Sequence, residues 1–360
     1  MRILHLLNHT RRLNGHVHAA VDLSCAQVKL GHSAAVAGGG GDFDALLAAN
    51  NVETMLVNHE RRPATLLKAT ARLYRLARDW RADIIHAHMM TSAVLAWPVC
   101  KLLGIPLVTT VHNEFEKSSI LMGLGNRVIT VSAAVGRSME KRGISRSRLN
   151  VVLNGTIGSA RFEGKDRTPR RLEQPAIIFV GGQHPRKGLP DLLEAFDLVW
   201  KKYPAARLYI VGDGPLLDTY INMARSMPCT SAVTFMGAQD DPFPFLLGAD
   251  IFVLPSHADP APLVLSEARE AGCAVVATDV DGIPELLEHG KAGILVPARD
   301  PARLAEAISS LVENPETLRA CREQSQFRIE HLRIERVARE TLEVYAGALH
   351  GVHGQPVKQT

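Results

Sequence analysis

Short, predominantly apolar runs alternate with amphipathic stretches of helical period along this chain, and the alternation occurs twice. In the first half the apolar runs fall at 2–7, 33–37, 53–57, 83–86, 107–111, 127–131 and 149–153. Helical patterns lie between them at 16–30, 64–81, 91–103 and 134–142. A strand that is apolar on both faces must be covered on both, and intervening helices supply that cover. The pattern therefore specifies a parallel α/β sheet. Residues 158–175, GSARFEGKDRTPRRLEQP, interrupt it with charge and two prolines and read as an exposed linker. The rhythm restarts with strands at 176–180, 206–211, 232–236, 250–254, 274–278 and 293–296, and helices at 189–202, 215–226, 263–271 and 301–313.

With 360 residues, the chain has room for two such cores. The expected organisation is two Rossmann-like doubly wound domains, 1–157 and 176–330, facing across a cleft where the carboxyl ends of their strands would present ligand-binding loops. A helix at 331–349 would pack back on the first domain, followed by a frayed tail at 350–360.

Several classes of protein are excluded. The most apolar stretch, Ser92 to Val111, is broken by Pro98, Lys101 and Pro106, so no membrane span is expected. The N-terminus turns polar too early for a signal peptide. Five scattered cysteines with no C-x-x-C spacing fit reduced thiols in a cytoplasmic protein. No G-x-G-x-x-G follows the first strand, which argues against a dinucleotide dehydrogenase. Residues 1–155 carry 19 Lys and Arg against 10 Asp and Glu, while the remainder is net acidic. The acidic second half and the absence of interleaved aromatic and basic residues exclude a nucleic-acid binder.

The basic excess of the first half concentrates at 61–81, where Lys68, Arg72 and Arg75 share one helical face and Leu66, Leu73, Ala77 and Trp80 mark another. This is either an ordinary covering helix with a solvated face or a contact for anionic lipid at the inner face of a membrane.

The chemistry gathers in the second half, where Leu254-Pro255-Ser256-His257-Ala258-Asp259-Pro260-Ala261-Pro262 leads from a strand into a helix opening at Leu263. The N–H groups of Leu263 and Val264, with the helix dipole, suit a phosphate. Asp259 and Glu267 flank that opening. They are either a loop acid and a solvated helix residue, or grips for hydroxyls on either side of a diphosphate. Val180-Gly181-Gly182-Gln183-His184-Pro185-Arg186-Lys187-Gly188 adds Lys187 to neutralise the diphosphate, with Gly181 and Gly188 allowing close backbone approach. Tight turns at Gly212-Asp213-Gly214 and Asp281-Gly282 complete four at successive strand ends. Two D-x-D triplets, Asp42-Phe43-Asp44 and Asp279-Val280-Asp281, are too short to argue a metal site. Asp42 reads as a helix cap and the second triplet as part of a turn.

With Asp83-Ile84-Ile85-His86-Ala87-His88, Thr110-Val111-His112, Val131-Ser132 and Asn154-Gly155 in the first half, these motifs resemble the family-4 retaining glycosyltransferases of the GT-B fold. The resemblance covers almost the whole chain and is strongest over 176–313. It implies transfer of a hexose-type sugar from a nucleotide-sugar donor to a glycan or lipid-linked acceptor, with retention, without a metal, and in cell-envelope or exopolysaccharide synthesis. In the family's E-x7-E signature, Glu267 matches the second Glu and would bind the ribose. Asp259 stands at the first, one methylene shorter, near the donor hexose. Lys187 matches the family's lysine, while Gly182 occupies the position of its arginine, with Arg186 nearby to compensate. Gly15, after Asn14, matches the phosphate-facing loop of the first domain, and Arg11 and Arg12 precede it. His112 matches a histidine near the transferred sugar. His88 would line the acceptor pocket, whereas His86 reads better as core. Two other readings keep the fold: a nucleotide-sugar epimerase, and a catalytically weak donor-binding scaffold.

Overall fold

The computed structural model of the chain describes residues 1–12, 14–58 and 62–353. Two compact units form, one from Met1–Glu163 together with the stretch that starts at Leu332, the other from Gly164–His331.

The first unit holds a seven-stranded parallel sheet of β1 (Arg2–Leu6), β2 (Ser33–Gly38), β3 (Glu53–Leu56), β4 (Ile84–Ala87), β5 (Leu107–Val111), β6 (Arg127–Thr130) and β7 (Leu149–Val151). Their spatial order is β3-β2-β1-β4-β5-β6-β7. β1 lies inside the sheet, next to the central β4, with Leu4 beside Ala35 on one flank and Ile85 on the other. The second unit holds six parallel strands, β8 (Ala176–Val180), β9 (Arg207–Val211), β10 (Val233–Gly237), β11 (Ile251–Leu254), β12 (Ala274–Thr278) and β13 (Ile294–Val296). Their order is β10-β9-β8-β11-β12-β13. In each sheet the chain winds outward one way, returns to the centre and winds the other way. The crevices at the ends of β1 and β4, and of β8 and β11, are therefore the two points where the winding reverses and ligands lodge in such sheets.

The central strands are buried on both faces, as their largely apolar sequences require; β5, β8, β11 and β12 are buried throughout. Helices cover them. The long C-terminal helix, Ile334–His353, lays Val337, Ala338, Tyr345 and Ala348 against Ile3, Ile84, Val108 and Ile129 of the first unit. Its apolar residues recur at three- and four-residue intervals, which puts them on one stripe. The expected tail therefore begins later than 350, and residues 354–360 lie outside the described residues. Of four further short helices, Asp44–Ala49 is the one expected after Asp42, whereas Phe243–Gly248, Ile283–Leu286 and Pro315–Gln324 lie outside the expected set. Three of them span too few turns to show a period. The fourth carries a legible signal, Asn314 accepting from the N–H groups of Glu316 and Thr317 ahead of a first-turn Pro315.

The expected linker at 158–175 departs from expectation at its start. Ala160–Phe162 forms a 3-10 turn against the helix Gly15–Lys29, and Arg161 is buried there. Its guanidinium donates to both carboxylate oxygens of Asp22, at 2.8 Å each. A buried charge needs a partner in fixed geometry, and this fork supplies one. Arg269 in the second unit is also fully buried and meets carbonyls instead. It donates to the carbonyl oxygens of Leu286 at 2.5 Å, Ser325 at 2.8 Å and Phe327. All five cysteines are buried thiols. Among the described residues no helix is long and apolar enough to cross a membrane.

Replacing Arg161 with Met would leave the Asp22 carboxylate buried without its cation. The expected cost is about 3–5 kcal/mol of stability, read from the urea midpoint. An unchanged midpoint would show that Asp22 is relieved by another route.

Candidate functional site

The loops at the ends of β8 and β11 form the centre of the second unit's site. After Val180 the chain passes through Gly181–His184 into a turn at Pro185–Lys187 and then into the helix Leu189–Lys202. After Leu254 the loop of residues 255–262 leads into the helix Leu263–Glu270. Because β8 and β11 are neighbours, the two loops meet. The N–H groups of His257 and Ala258 donate to the Arg186 carbonyl at 2.7 and 3.3 Å. Lys187 Nζ then reaches Asp259 Oδ2 at 2.5 Å.

Several contacts hold Asp259 in place. Its N–H donates to Asp281 Oδ2 at 2.7 Å, its carbonyl accepts from the Gly282 N–H at 3.3 Å, and the Ser256 hydroxyl donates to Oδ2 at 3.3 Å. Asp281 takes a left-handed backbone, φ 48°, to aim its carboxylate at that N–H. Burial pushes the Asp281 carboxyl above its ordinary range. Beside this group, the first N–H groups of the helix, at Leu263 and Val264, have no acceptor within it, as at any helix start. Glu267 is 7% exposed, which removes the reading of it as a solvated helix residue. Asp259, at 5%, is equally no ordinary loop acid.

The glycines prove necessary for a reason other than the expected one. A Cβ on Gly188, which has φ +66°, would sit 1.9 Å from the Pro255 carbonyl oxygen. On Gly212, with φ +131°, it would sit 2.1 Å from the Gly181 carbonyl oxygen. These residues let one turn of the protein approach another, locking the loops together. Gly181 itself is less constrained, since a Cβ there would meet only the Phe179 ring at 3.3 Å. At Gly182 the nearest atom to a Cβ would be 3.8 Å away, so that position is open.

In the first unit the corresponding loop, after β1, holds Arg11, Arg12 and Asn14 on the surface, and Gly15 opens the helix Gly15–Lys29. Leu13 lies outside the described residues. Asp42 does not cap a helix. It accepts the Arg12 N–H at 3.0 Å, and Asp44 takes the local role by accepting from the Gly41 N–H at 3.1 Å. Asn154-Gly155 is a tight crossing, where a Cβ on Gly155 would meet the Leu332 carbonyl oxygen at 2.4 Å.

Behind this loop lies a buried histidine network that the sequence disclosed only in part. His5 Nε2 meets Gln27 Oε1 at 2.8 Å, and His5 Nδ1 meets His88 Nε2 at 3.0 Å. His88 Nδ1 meets His112 Nε2 at 3.1 Å. His86 bonds to Tyr345 Oη at 2.6 Å and Thr110 Oγ1 at 2.7 Å, which makes it a satisfied core residue. His88 is 2% exposed with both nitrogens engaged, so it has no spare polar atom for an acceptor pocket; its partner His112 is the partly exposed member. His5, Gln27 and Tyr345 were missed. His5 is a polar residue inside an apolar run, the available signal, whereas Gln27 lies in a helix of mixed polarity and Tyr345 arrives from the far end of the chain. Ring nitrogens of His5, His86 and His88 lie within 4.8 Å of one another, a spacing a metal could use. Both nitrogens of each already hold hydrogen bonds, and an ion would have to displace them.

A cation, acids and a helix start gathered at the reversal point of a doubly wound sheet form a place suited to an anionic ligand. Two family models match the chain: Glycosyl transferases group 1 over residues 161–328 and Glycosyltransferase Family 4 over residues 13–156. The chain belongs to the family-4, group 1 glycosyltransferases. It is 30% identical over 310 residues to a glycogen synthase of Mycobacterium tuberculosis, spanning 79% of this chain and 74% of that one. It is 28% identical to a D-inositol 3-phosphate glycosyltransferase of Segniliparus rotundus, over 76% and 68% of the two chains. The fold matches Anabaena HepE, solved in complex with UDP and glucose, with a TM-score of 0.79 at 18% identity, covering 96% of this chain and all of that one.

Burial drives the imidazoles of His5 and His16 down to about 4 and that of His112 to about 3. The unfolded chain takes up these protons near pH 6.5, where the folded chain still refuses them, so stability falls as pH drops toward 4. His5 by itself accounts for about 2 kcal/mol lost by pH 5. Urea midpoints at pH 7, 6 and 5 should decline in that order; equal midpoints would contradict it.

Proposed function

We propose that this glycosyltransferase draws a hexose-type sugar from a nucleotide donor held by the second unit and passes it to a glycan or lipid-linked acceptor. Retention of configuration, operation without a metal, and a place in cell-envelope or extracellular polysaccharide synthesis belong to the same reading. The observation that carries it is the Lys187–Asp259 pair at the reversal of the second sheet, next to the helix start at Leu263 and a buried Glu267. HepE, with UDP and glucose bound, supports a uridine or similar nucleoside diphosphate as the donor's common part. The two named relatives, one for glycogen and one for D-inositol 3-phosphate, support a hydroxyl-bearing acceptor.

Departure of a sugar builds negative charge on the diphosphate, and preorganised positive groups lower that barrier most. Lys187 and the Leu263 and Val264 N–H groups would take that charge. Arg186 adds cationic charge to the same turn and would compensate for the missing arginine at Gly182. Because the cation is a side chain, the charge is met without a metal. Asp259 would bind the hexose hydroxyls and hold Lys187 until the phosphates arrive; Glu267 would bind the ribose. Gly212 would keep its turn close to the Gly181 strand end beside the donor. In the first unit, Gly15 would face the phosphates and His112 the transferred sugar.

Lys187→Ala and Glu267→Ala should each weaken UDP-sugar or GDP-sugar binding about tenfold to a hundredfold, because each removes a charge-assisted hydrogen bond. Isothermal titration against a panel of donors measures this, and wild-type affinity in both variants for every donor would remove the site assignment.

The proposed membrane contact narrows with the structure. The helix Pro63–Asp79 buries Ala69, Leu73 and Ala77 in its own unit and leaves Lys68, Arg72 and Arg75 outward. Arg61 lies outside the described residues. The buried stripe cannot also enter lipid, so attraction to an anionic surface would be electrostatic. Reversal of Lys68, Arg72 and Arg75 to Glu should abolish co-sedimentation with phosphatidylglycerol vesicles at low salt, and equal sedimentation would refute the contact.

A further inference from the structure

The histidine network of the first unit has a direction, and that direction decides what His112 offers outward. We infer that Gln27, acting through His5 and His88, fixes the tautomer of His112, leaving its Nδ1 as a bare acceptor for a sugar hydroxyl. This rests on the reading that His112 meets the transferred sugar.

The order of the protons is set at the amide. Gln27 presents Oε1 to His5 Nε2 at 2.8 Å and its Nε2 to Tyr345 Oη at 3.3 Å. An amide oxygen only accepts, so His5 Nε2 carries the proton of that contact. Burial keeps His5 neutral, and a neutral imidazole has one N–H. His5 Nδ1 is therefore an acceptor, and the proton between it and His88 Nε2, at 3.0 Å, belongs to His88. His88 is fully buried and neutral by the same cause, so its Nδ1 accepts in turn. His112 Nε2 then donates across 3.1 Å, and His112 Nδ1 is left without a proton. One amide orientation settles three rings in series.

A reversed amide would reverse every link and turn His112 Nδ1 into a donor. The far side of the network favours the observed orientation. Tyr345 Oη lies 2.6 Å from His86 Nδ1, while His86 Nε2 lies 2.7 Å from Thr110 Oγ1. A phenol is the stronger acid beside a neutral imidazole, so it donates to His86, and its lone pairs face the Gln27 N–H. His86 then donates to Thr110. His5, Gln27, His86, His88, Thr110 and Tyr345 are all buried, so water cannot relax the order.

His5, His88 and Gln27 thus act as positioning residues. Their effect would be chemical selection: an Nδ1 lone pair accepts from a hydroxyl and repels a carbonyl or carboxylate.

The decisive measurement is made on the whole wild-type chain without donor. In 15N-histidine-labelled protein, long-range 1H–15N correlation reports which nitrogen of each ring bears hydrogen, and the signals lost in His112→Ala identify His112. The expected spectrum has Nε2 protonated and Nδ1 bare. A protonated Nδ1, or averaging between the two forms, overturns the proposal. Gln27→Met keeps the volume and removes the amide. It should leave His112 averaging between tautomers, and kcat should fall about threefold to tenfold with the donor KM nearly unchanged. Averaged signals with wild-type kcat would overturn the link to a sugar hydroxyl without touching donor binding at Lys187 and Glu267. If Gln27→Met fails to fold, the wild-type spectrum still decides the tautomer.

Discussion

Parallel strand pairing governs almost everything that matters in this chain. When neighbouring strands run the same way, every connection must cross back over a face of the sheet, and all carboxyl-end loops emerge along one edge. Winding that starts at the centre and reverses leaves two adjacent strands whose loops turn apart, and a crevice opens there. In the second unit that crevice separates loops whose facing residues Lys187 and Asp259 lie 72 residues apart in sequence, yet the two meet across it. Neither residue has a reason to be buried apart from the other. The pair persists because Asp281, Ser256 and the close approach of Gly188 to Pro255 hold both loops together.

The two units use that crevice differently. In the second, formal charges face one another and the surroundings are hydrogen-bonded backbone. In the first, the crevice behind β1 and β4 is filled with neutral imidazoles stacked close together, His86 and His88 with ring centres 4.1 Å apart. Four rings of this kind would repel if charged, and burial already holds each of them neutral. The result is a polar interior with no net charge, rigid because nearly every nitrogen has one available partner.

Sequence alone carried the fold a long way. Among the described residues, every one of the thirteen strands lies within a residue or two of an apolar run, because a doubly buried strand can hardly be written otherwise. The helices with two or more turns showed their period as well, except Pro315–Gln324. What stayed hidden was short or long-range. Ile283–Leu286 is a single turn, and Arg161 reads as linker charge until Asp22, far away in the chain, is placed beside it. The meeting of Lys187 with Asp259 was legible because four glycine turns at strand ends mark loops that converge. The histidine network was half legible. His86, His88 and His112 sit on strand ends in plain view, but their partners Gln27 and Tyr345 come from helices at opposite ends of the chain, and no local pattern announces such a meeting.

The return of the C-terminal helix to the first unit also imposes an order on synthesis. Tyr345 and its stripe belong to a core whose other members are made first, so residues 1–163 leave the ribosome with an open apolar face. The second unit is continuous and can close by itself while the first waits. At roughly 5–20 residues per second, that wait lasts on the order of ten to forty seconds. During this interval the nascent chain exposes its stickiest surface, and a chaperone able to shield it would be most useful then.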